Sequence, residues 1–520
     1  MWSFQSLRKC NLTKLIQLQL GFKKLASFSS ASNGLSASRS SYTPNALNHQ
    51  VFGQPVSATH PHLINDGELV AGVCLNEFQQ RRTRLMLGIQ KYARDHLQKN
   101  DLNKRNHLVV IPSSTKKYMS DKIPYIFRQN SDFFYLTGCQ EPDTILVMSI
   151  DENSKIKSSL FMRAKDKHAE LWEGARTGVD LAIDLFGVDQ AFPVETFEIE
   201  LGRRIQFEKP LIWFDSKCSD LSNVNESIMK VIHSINDSKP LQSPTTIIQG
   251  MRLFKSVAEQ NLMRRTCQIA STAINEVMAE SKPGHSEHHI YAMTDYKCRM
   301  RNASHLAYPP VVASGKNATV IHYINNTQLC KSGDLVLMDA GCEYGGYSSD
   351  ITRTWPINGK FTNAQKTLYD VVLLLQKELI DILLREGGET LDQLFDTMCL
   401  KLGKYLQEIG LVPNDINDIV GLTRAGYKFC PHHVSHYLGM DVHDTPLIPR
   451  SLRLMPGMVC TVEPGIYISS DRDDVPVEFR GIGIRIEDDI LITDDNKVEI
   501  LTSTCIKERT ELENLHKLKS

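Results

Sequence analysis

An α/β domain followed by an α+β domain is the architecture the sequence predicts, on three observations. The chain has 520 residues, more than one compact core accommodates, so two domains and a tail are expected. Its first half alternates short β-rich runs with helical ones; its second half places helices ahead of strands joined by glycine-rich turns. A polar run around residues 236–245 reads as a linker. The expected boundaries are therefore a tail over residues 1–52, an N-terminal domain over 53–245 and a C-terminal domain over 246–520.

In the N-terminal domain, HLVVIP (His107 to Pro112) and TILVMSI (Thr144 to Ile150) read as strands, and Glu77 to Gln98 has a helical apolar period. The C-terminal domain opens on an amphipathic helix from Ser256, stopped by Pro283-Gly284, and a second from Ser286 to about Asn302. DLVLMDAG (Asp334 to Gly341), CEYGGY and SSDITRTW then read as strand, glycine turn and strand. A helix from Asn363 to Glu386 follows, and the segments Met458 to Ile468 and Gly481 to Thr493 supply two more strands.

Composition narrows the class. With 41% apolar and 23% charged residues the chain belongs with soluble globular proteins, and its apolar runs are too short to span a membrane. A net charge of −1 weighs against a protein built to hold nucleic acid. The twelve cysteines include no C-x-x-C pair, which suits reduced thiols in an intracellular compartment. The tail differs from this average. No acid precedes Asp66, whereas Arg8, Lys9, Lys14, Lys23, Lys24 and Arg39 are interspersed with apolar residues, and residues 27–41 are serine-rich. That is the make-up of a mitochondrial transit peptide, so a mitochondrial and most simply a matrix location is expected, with room for a cytoplasmic pool.

Carboxylates in apolar company are the strongest chemical signal. The midpoint between Asp339 and Asp350 falls between Tyr344 and Gly345, so a symmetric hairpin would place the two aspartates opposite each other, with Cβ atoms about 4.5–5.5 Å apart. Two carboxylates that close repel unless a proton or cation separates them, and a metal ion is the economical answer. Glu463 and Glu487 fall in otherwise apolar strands, where a bare carboxylate is expensive. Arg485 is two residues from Glu487 and would share its face of a strand. His432, His433, His436 and His443 crowd the run PHHVSHYLGMDVHD, and His322 stands in VIHYINN. The spacing of His432 and His436 is that of a helical zinc pair, but no glutamate lies between them and Gly439 argues against a long helix. One imidazole among carboxylates favours a hard ion such as manganese.

These motifs carry a resemblance. HYINN at His322, DAG at Asp339, DITRTWP at Asp350, HVSHYLGMDVHD at His433, EPGIY at Glu463 and RIED at Arg485 resemble, in order and spacing, the Xaa-Pro aminopeptidases of the creatinase-like metallopeptidases. YLTG at Tyr135, EPDTILV at Glu141 and ELWEGARTG at Glu170 are similar to that family's non-catalytic domain. The resemblance implies a pita-bread metallopeptidase domain behind an α/β creatinase-like domain, and with the basic tail it extends to mitochondrial members.

By the same resemblance, Asp339, Asp350, His436, Glu463 and Glu487 hold two divalent ions per subunit, with Asp350 and Glu487 bridging and manganese expected. His322, His432 and His443 would contact the substrate and the tetrahedral intermediate, Tyr467 and Arg485 would line the same site, and Glu463 would move the proton. The implied activity is removal of the residue before proline from peptide or protein N-termini, including imported mitochondrial proteins, by a homodimer without nucleic-acid or membrane partners. A prolidase, a methionine aminopeptidase or a non-catalytic binding protein on the same fold are the alternatives.

Overall fold

The computed structural model describes residues 51–97, 106–215, 226, 228–231, 241–383 and 389–515. The expected transit peptide, apart from its last two residues, and residues 236–240 of the expected linker lie outside these. The chain forms two compact units that divide between Arg252 and Leu253. No described helix is long and apolar enough to cross a membrane.

The first unit is built on α1 (Leu75–His96), β1 (His107–Pro112), α2 (Ser131–Thr137), β2 (Ile145–Ile150), β3 (Ile156–Met162), β4 (Gln190–Pro193), α3 (Phe197–Glu208) and β5 (Leu211–Trp213). Its sheet has the order β4-β3-β2-β1-β5, antiparallel through the centre and parallel at both edges. β1 reads as a continuous apolar run because it lies inside the sheet, and all six of its residues are buried. Phe197, Leu201 and Ile205 of α3 close one face over Leu108, Val110, Ile145 and Val147.

The second unit begins with α4 (Val257–Glu280) and α5 (Glu287–Arg299). Both start where the sequence signals, at Ser256 and Ser286, whose hydroxyls accept from the backbone N–H of the third helical residue. Then come β6 (Val311–Ser314), β7 (Leu335–Ala340), β8 (Cys342–Tyr344), β9 (Tyr347–Ser348) and β10 (Ile351–Pro356). The helices α6 (Asn363–Leu383), α7 (Leu391–Glu408) and α8 (Ile419–Phe429) precede β11 (Val459–Val462), β12 (Gly465–Ile468), β13 (Ile482–Arg485), β14 (Asp488–Ile492) and β15 (Val498–Ile500). Strands pair antiparallel as β6-β7-β10, β11-β14-β15 and β12-β13. Antiparallel sheets flanked by helices make this unit α+β, as expected.

Two expectations are corrected. The hairpin from Asp339 to Asp350 turns at Gly345-Gly346, whose φ values of +59° and +81° only glycine adopts freely, and this pairs Tyr344 with Tyr347. Asp339 therefore faces Thr352, and Asp350 lies two residues away rather than directly opposite. The segments Met458 to Ile468 and Gly481 to Thr493 are not single strands either. Each breaks where its glutamate stands: β11 ends before Glu463 and β12 starts after Pro464, while β13 ends at Arg485 and β14 starts at Asp488. Proline has no N–H to continue a ladder, so the chain passes from one sheet to another at Glu463-Pro464. Glu487 thus lies outside the strand that carries Arg485, in a break whose N–H donates to the Thr352 carbonyl of β10 at 3.1 Å.

Behind these breaks lies a buried ion pair. Arg353 Nη2 donates to Asp488 Oδ1 at 2.8 Å with both side chains fully buried, and Nη1 donates to the carbonyls of Thr352 and Glu487. Asp488 also accepts from Thr502, Gln376 and Lys507, and Arg353 with Lys507 holds its carboxyl well below the usual range despite burial. Arg353→Met leaves buried Asp488 with Lys507 as its remaining cation and strips the donor from the Thr352, Glu487 and Cys505 carbonyls, and should destabilise the second unit by about 3 kcal/mol in denaturant titrations. A depressed carboxyl stabilises the fold above its unfolded-state value and ceases to as pH falls through its native one. The Asp488 contribution should therefore be complete above about pH 4 and fade below it. A variant as stable as wild type would contradict the brace.

Candidate metal centre

Five segments converge on one centre: the end of β7 (Asp339), the residue before β10 (Asp350), the loop after α8 (His436), the β11–β12 break (Glu463) and the β13–β14 break (Glu487). Ligand atoms of Asp350, His436 and Glu487 all lie within 4.8 Å of one another. His436 Nε2 is 3.4 Å from Asp350 Oδ2 and 3.6 Å from Glu463 Oε1. Its Nδ1 is 3.1 Å from the Tyr437 carbonyl, so the Nδ1–H donates there and Nε2 faces the carboxylates. The loop carrying His432 and His436 is not helical. Instead Thr461 N donates to the His436 carbonyl and Glu463 N to that of Val434, seating the loop along β11.

Asp339 is placed by Arg485, whose Nη2 donates to Oδ2 at 2.6 Å. The Tyr308 hydroxyl lies 2.5 Å from Oδ1 of Asp339 and of Asp350 alike. One hydroxyl proton serves one of those contacts, so the second calls for a proton on a carboxyl. Asp350 suits that role, because burial and then the charge of Asp339 push its carboxyl up. Glu487 accepts from Thr352 Oγ1 at 2.6 Å, and Thr352 in turn accepts from Arg485 Nε at 3.0 Å. Burial raises Glu487 well above the carboxylate range, with Asp350 and Glu463 adding to the effect. Glu463 is pushed up to about 7 by burial, which His436 partly offsets. His436 goes the other way: burial opposes its charge, but Asp350 and Glu463 outweigh that and lift it to about 9.

Four acids thus share one guanidinium and one imidazole among the described residues, and the excess negative charge demands compensation. Each like-charged pair about 4 Å apart opposes charging by roughly 4 kcal/mol at an effective dielectric constant of 20. Divalent cations satisfy the same demand without protons, and carboxylate oxygens with a single imidazole nitrogen are the donors a hard ion takes. These residues fit a divalent metal.

Beside the carboxylates runs a hydrogen-bonded chain. Arg485 Nη1 donates to the Tyr467 hydroxyl at 2.8 Å, and that hydroxyl lies 2.9 Å from His432 Nε2. His432 Nδ1 faces its neighbour's carbonyl at 3.0 Å, so Nε2 is the acceptor. Burial, and secondarily Arg485, lowers His432 to about 4, which keeps it neutral. The His443 ring centre is 4.6 Å from that of His436, and burial followed by His436 and His322 lowers its pKa. His322 is exposed on the segment after β6 and acts on His432 and His443 through space rather than by a described hydrogen bond.

Three further residues had escaped the sequence reading. Tyr308 precedes Pro309-Pro310 and gave no periodic signal. Thr352 sits in a strand where threonine is ordinary. Asp489 completes an acidic triplet with Glu487 and Asp488 inside an apolar run, which could have been noticed. It is fully buried, its Oδ2 accepts from the Asp350 N–H at 3.0 Å, and Cys267 Sγ lies 3.2 Å from the same oxygen.

Comparison with known proteins decides the family. The profile of "Metallopeptidase family M24" matches residues 261–494, and that of "Aminopeptidase P, N-terminal domain" matches residues 78–213. Xaa-Pro aminopeptidase 3 of Mus musculus is 41% identical over 472 residues, covering 90% of this chain and 91% of the mouse protein. The chain belongs to the Xaa-Pro aminopeptidases of metallopeptidase family M24. It is a metal-dependent aminopeptidase, and the expected pita-bread domain behind a creatinase-like domain is its fold. Intermediate cleaving peptidase 55, mitochondrial, of Arabidopsis thaliana is 38% identical over 478 residues, 92% of this chain and 90% of that one. The solved structure of proline aminopeptidase P II from Yersinia pestis superposes with a TM-score of 0.77 at 33% identity, covering 86% of this chain and 100% of that chain.

If the centre holds metal through Asp350, Asp350→Asn should keep the circular dichroism and melting temperature of the folded protein. Its affinity for manganese should fall at least about 100-fold, as read by metal analysis after dialysis. Wild-type metal content in that variant would contradict the assignment.

Proposed function

We propose that Asp339, Asp350, His436, Glu463 and Glu487 hold two divalent ions, manganese by preference, and that the chain removes the residue preceding proline from peptide N-termini. The observation that carries this reading is the arrival of four carboxylates and one imidazole from five separate segments, beside the chain from Arg485 through Tyr467 to His432. Divalent ions bound there would polarise the scissile carbonyl and lower the pKa of a water molecule toward neutrality.

The protein's own groups then divide the remaining work. Glu463, poised at about 7 by burial, is suited to take a proton from water and pass it to the leaving nitrogen. Neutral His443 can donate to a developing oxyanion, a contribution of roughly 3–4 kcal/mol from such donors. A bond before proline is a tertiary amide with no N–H, so recognition rests on shape and on the carbonyl. His322, His432, Tyr467 and Arg485 are the groups offered for that, Arg485 holding Tyr467 and Tyr467 holding His432.

The basic, acid-free tail and the mitochondrial relative of Arabidopsis thaliana support a mitochondrial location, with the matrix as the compartment and imported proteins as substrates. A second copy of the chain is the proposed partner. In the first unit the hairpin around residues 118–126 exposes Tyr118, Met119, Ile123, Tyr125 and Ile126, an apolar group that a monomer would leave in water.

Manganese-loaded protein should release the first residue from Xaa-Pro-Xaa tripeptides at least about tenfold faster, in kcat/KM, than it acts on Xaa-Pro dipeptides or methionyl peptides lacking proline. Preference for dipeptides would make it a prolidase instead, and preference for methionyl peptides a methionine aminopeptidase.

A further inference from the structure

His322 rides on a segment whose two ends are gathered by one buried carboxylate. Glu287, the first residue of α5, is fully buried. Its Oε1 accepts from the Ser314 N–H at 2.8 Å and from Asn317 Nδ2 at 2.9 Å. Its Oε2 accepts from the Tyr323 hydroxyl at 2.8 Å and from the Gln328 N–H at 2.9 Å. Two donors precede His322 in sequence and two follow it, so the carboxylate closes the neck of a loop with the histidine beyond it. All four donors are neutral, and the N-terminus of α5 adds its own partial positive charge beside the carboxyl oxygens.

The backbone reinforces the closure: Glu287 N donates to the Gln328 carbonyl at 2.9 Å and Cys330 N to that of His285 at 2.8 Å. A second restraint lies on the far side. At Gly483 in β13 a Cβ would come within 2.0 Å of the Ala318 carbonyl oxygen, so the loop backbone lies directly against the strand that carries Arg485. The His322 imidazole makes no hydrogen bond among the described residues, so its position is inherited from the backbone.

We propose that Glu287 is the positioning residue for His322, holding residues 314–328 so that the imidazole is presented to the metal centre before substrate arrives. This rests on the reading of His322 as a substrate contact. Glutamine in place of Glu287 keeps the size but replaces one acceptor oxygen by an NH2 group, which then meets donors instead of accepting from them. The neck opens, and the imidazole samples positions of which only some are productive.

The test is a double-mutant cycle on manganese-loaded full-length chain, with kcat/KM for an Xaa-Pro tripeptide, metal content, and amide hydrogen exchange over residues 314–328. Glu287→Gln should lower kcat/KM by about 10- to 100-fold and speed exchange in that segment, with metal content unchanged. His322→Ala should lower kcat/KM on its own. Adding Glu287→Gln to it should then cost less than about a further twofold, because the two act through one imidazole. Equal losses from Glu287→Gln with and without His322 would overturn the proposal, as would a fully active Glu287→Gln beside an impaired His322→Ala. A fully active His322→Ala would instead sink the reading of His322 itself, and the proposal with it. Should Glu287→Gln fail to fold, Tyr323→Phe removes one donor and leaves the carboxylate in place. It should lower kcat/KM about fivefold, and only when His322 is present.

Discussion

The repulsion among four clustered carboxylates, Asp350 and Glu487 buried and Asp339 and Glu463 partly so, is the constraint on which the second unit depends. Asp339, Asp350, Glu463 and Glu487 come together with little water to screen them, and among the described residues Arg485 and His436 answer with positive charge. Such a cluster folds only if protons or cations complete it. The raised values at Asp350, Glu463 and Glu487 express that demand, and divalent metal answers it in a form that also serves chemistry. Acidity here is a property of the group rather than of any one side chain.

Much of the scaffold can be understood as bringing those acids together and preventing their escape. Two glutamates stand at breaks where the chain changes sheets, which aims each carboxylate out of a ladder and into the centre. Arg353 and Lys507 both pair with Asp488 behind the β13–β14 break, and Arg353 fixes the Glu487 carbonyl. Asp489 holds the N–H of Asp350. The ion pair of Lys255 with Asp444, both fully buried, anchors the residue after His443 to the start of α4. Packing and catalysis are therefore not separable in this unit: the same hydrogen bonds that satisfy buried polar groups set the directions of the reactive ones.

How much of this the sequence disclosed follows from which signals are local. Helix starts at Ser256 and Ser286 were legible because capping is a short-range hydrogen bond. The carboxylates stood out because an acid in an apolar run demands a partner. The hairpin register was misplaced because the midpoint between two aspartates is no physical landmark, whereas the glycine pair, which alone accepts two positive φ values, fixes the turn. The breaks at Glu463 and Glu487 were read through as strands, although Pro464 had marked the first of them. Tyr308 and Glu287 were invisible for a different reason. Their roles consist of contacts with residues 27 to 42 positions away, and no local pattern distinguishes them from an ordinary tyrosine and an ordinary helix-start glutamate.

Whether shared cations hold the cluster is open to direct spectroscopic measurement. Protein stripped of metal and reloaded with two equivalents of manganese should give the multiline electron paramagnetic resonance signal of two exchange-coupled ions, since carboxylates that bridge keep the ions about 3.5–4 Å apart. Two independent six-line spectra, or a second equivalent that stays free in solution, would contradict it.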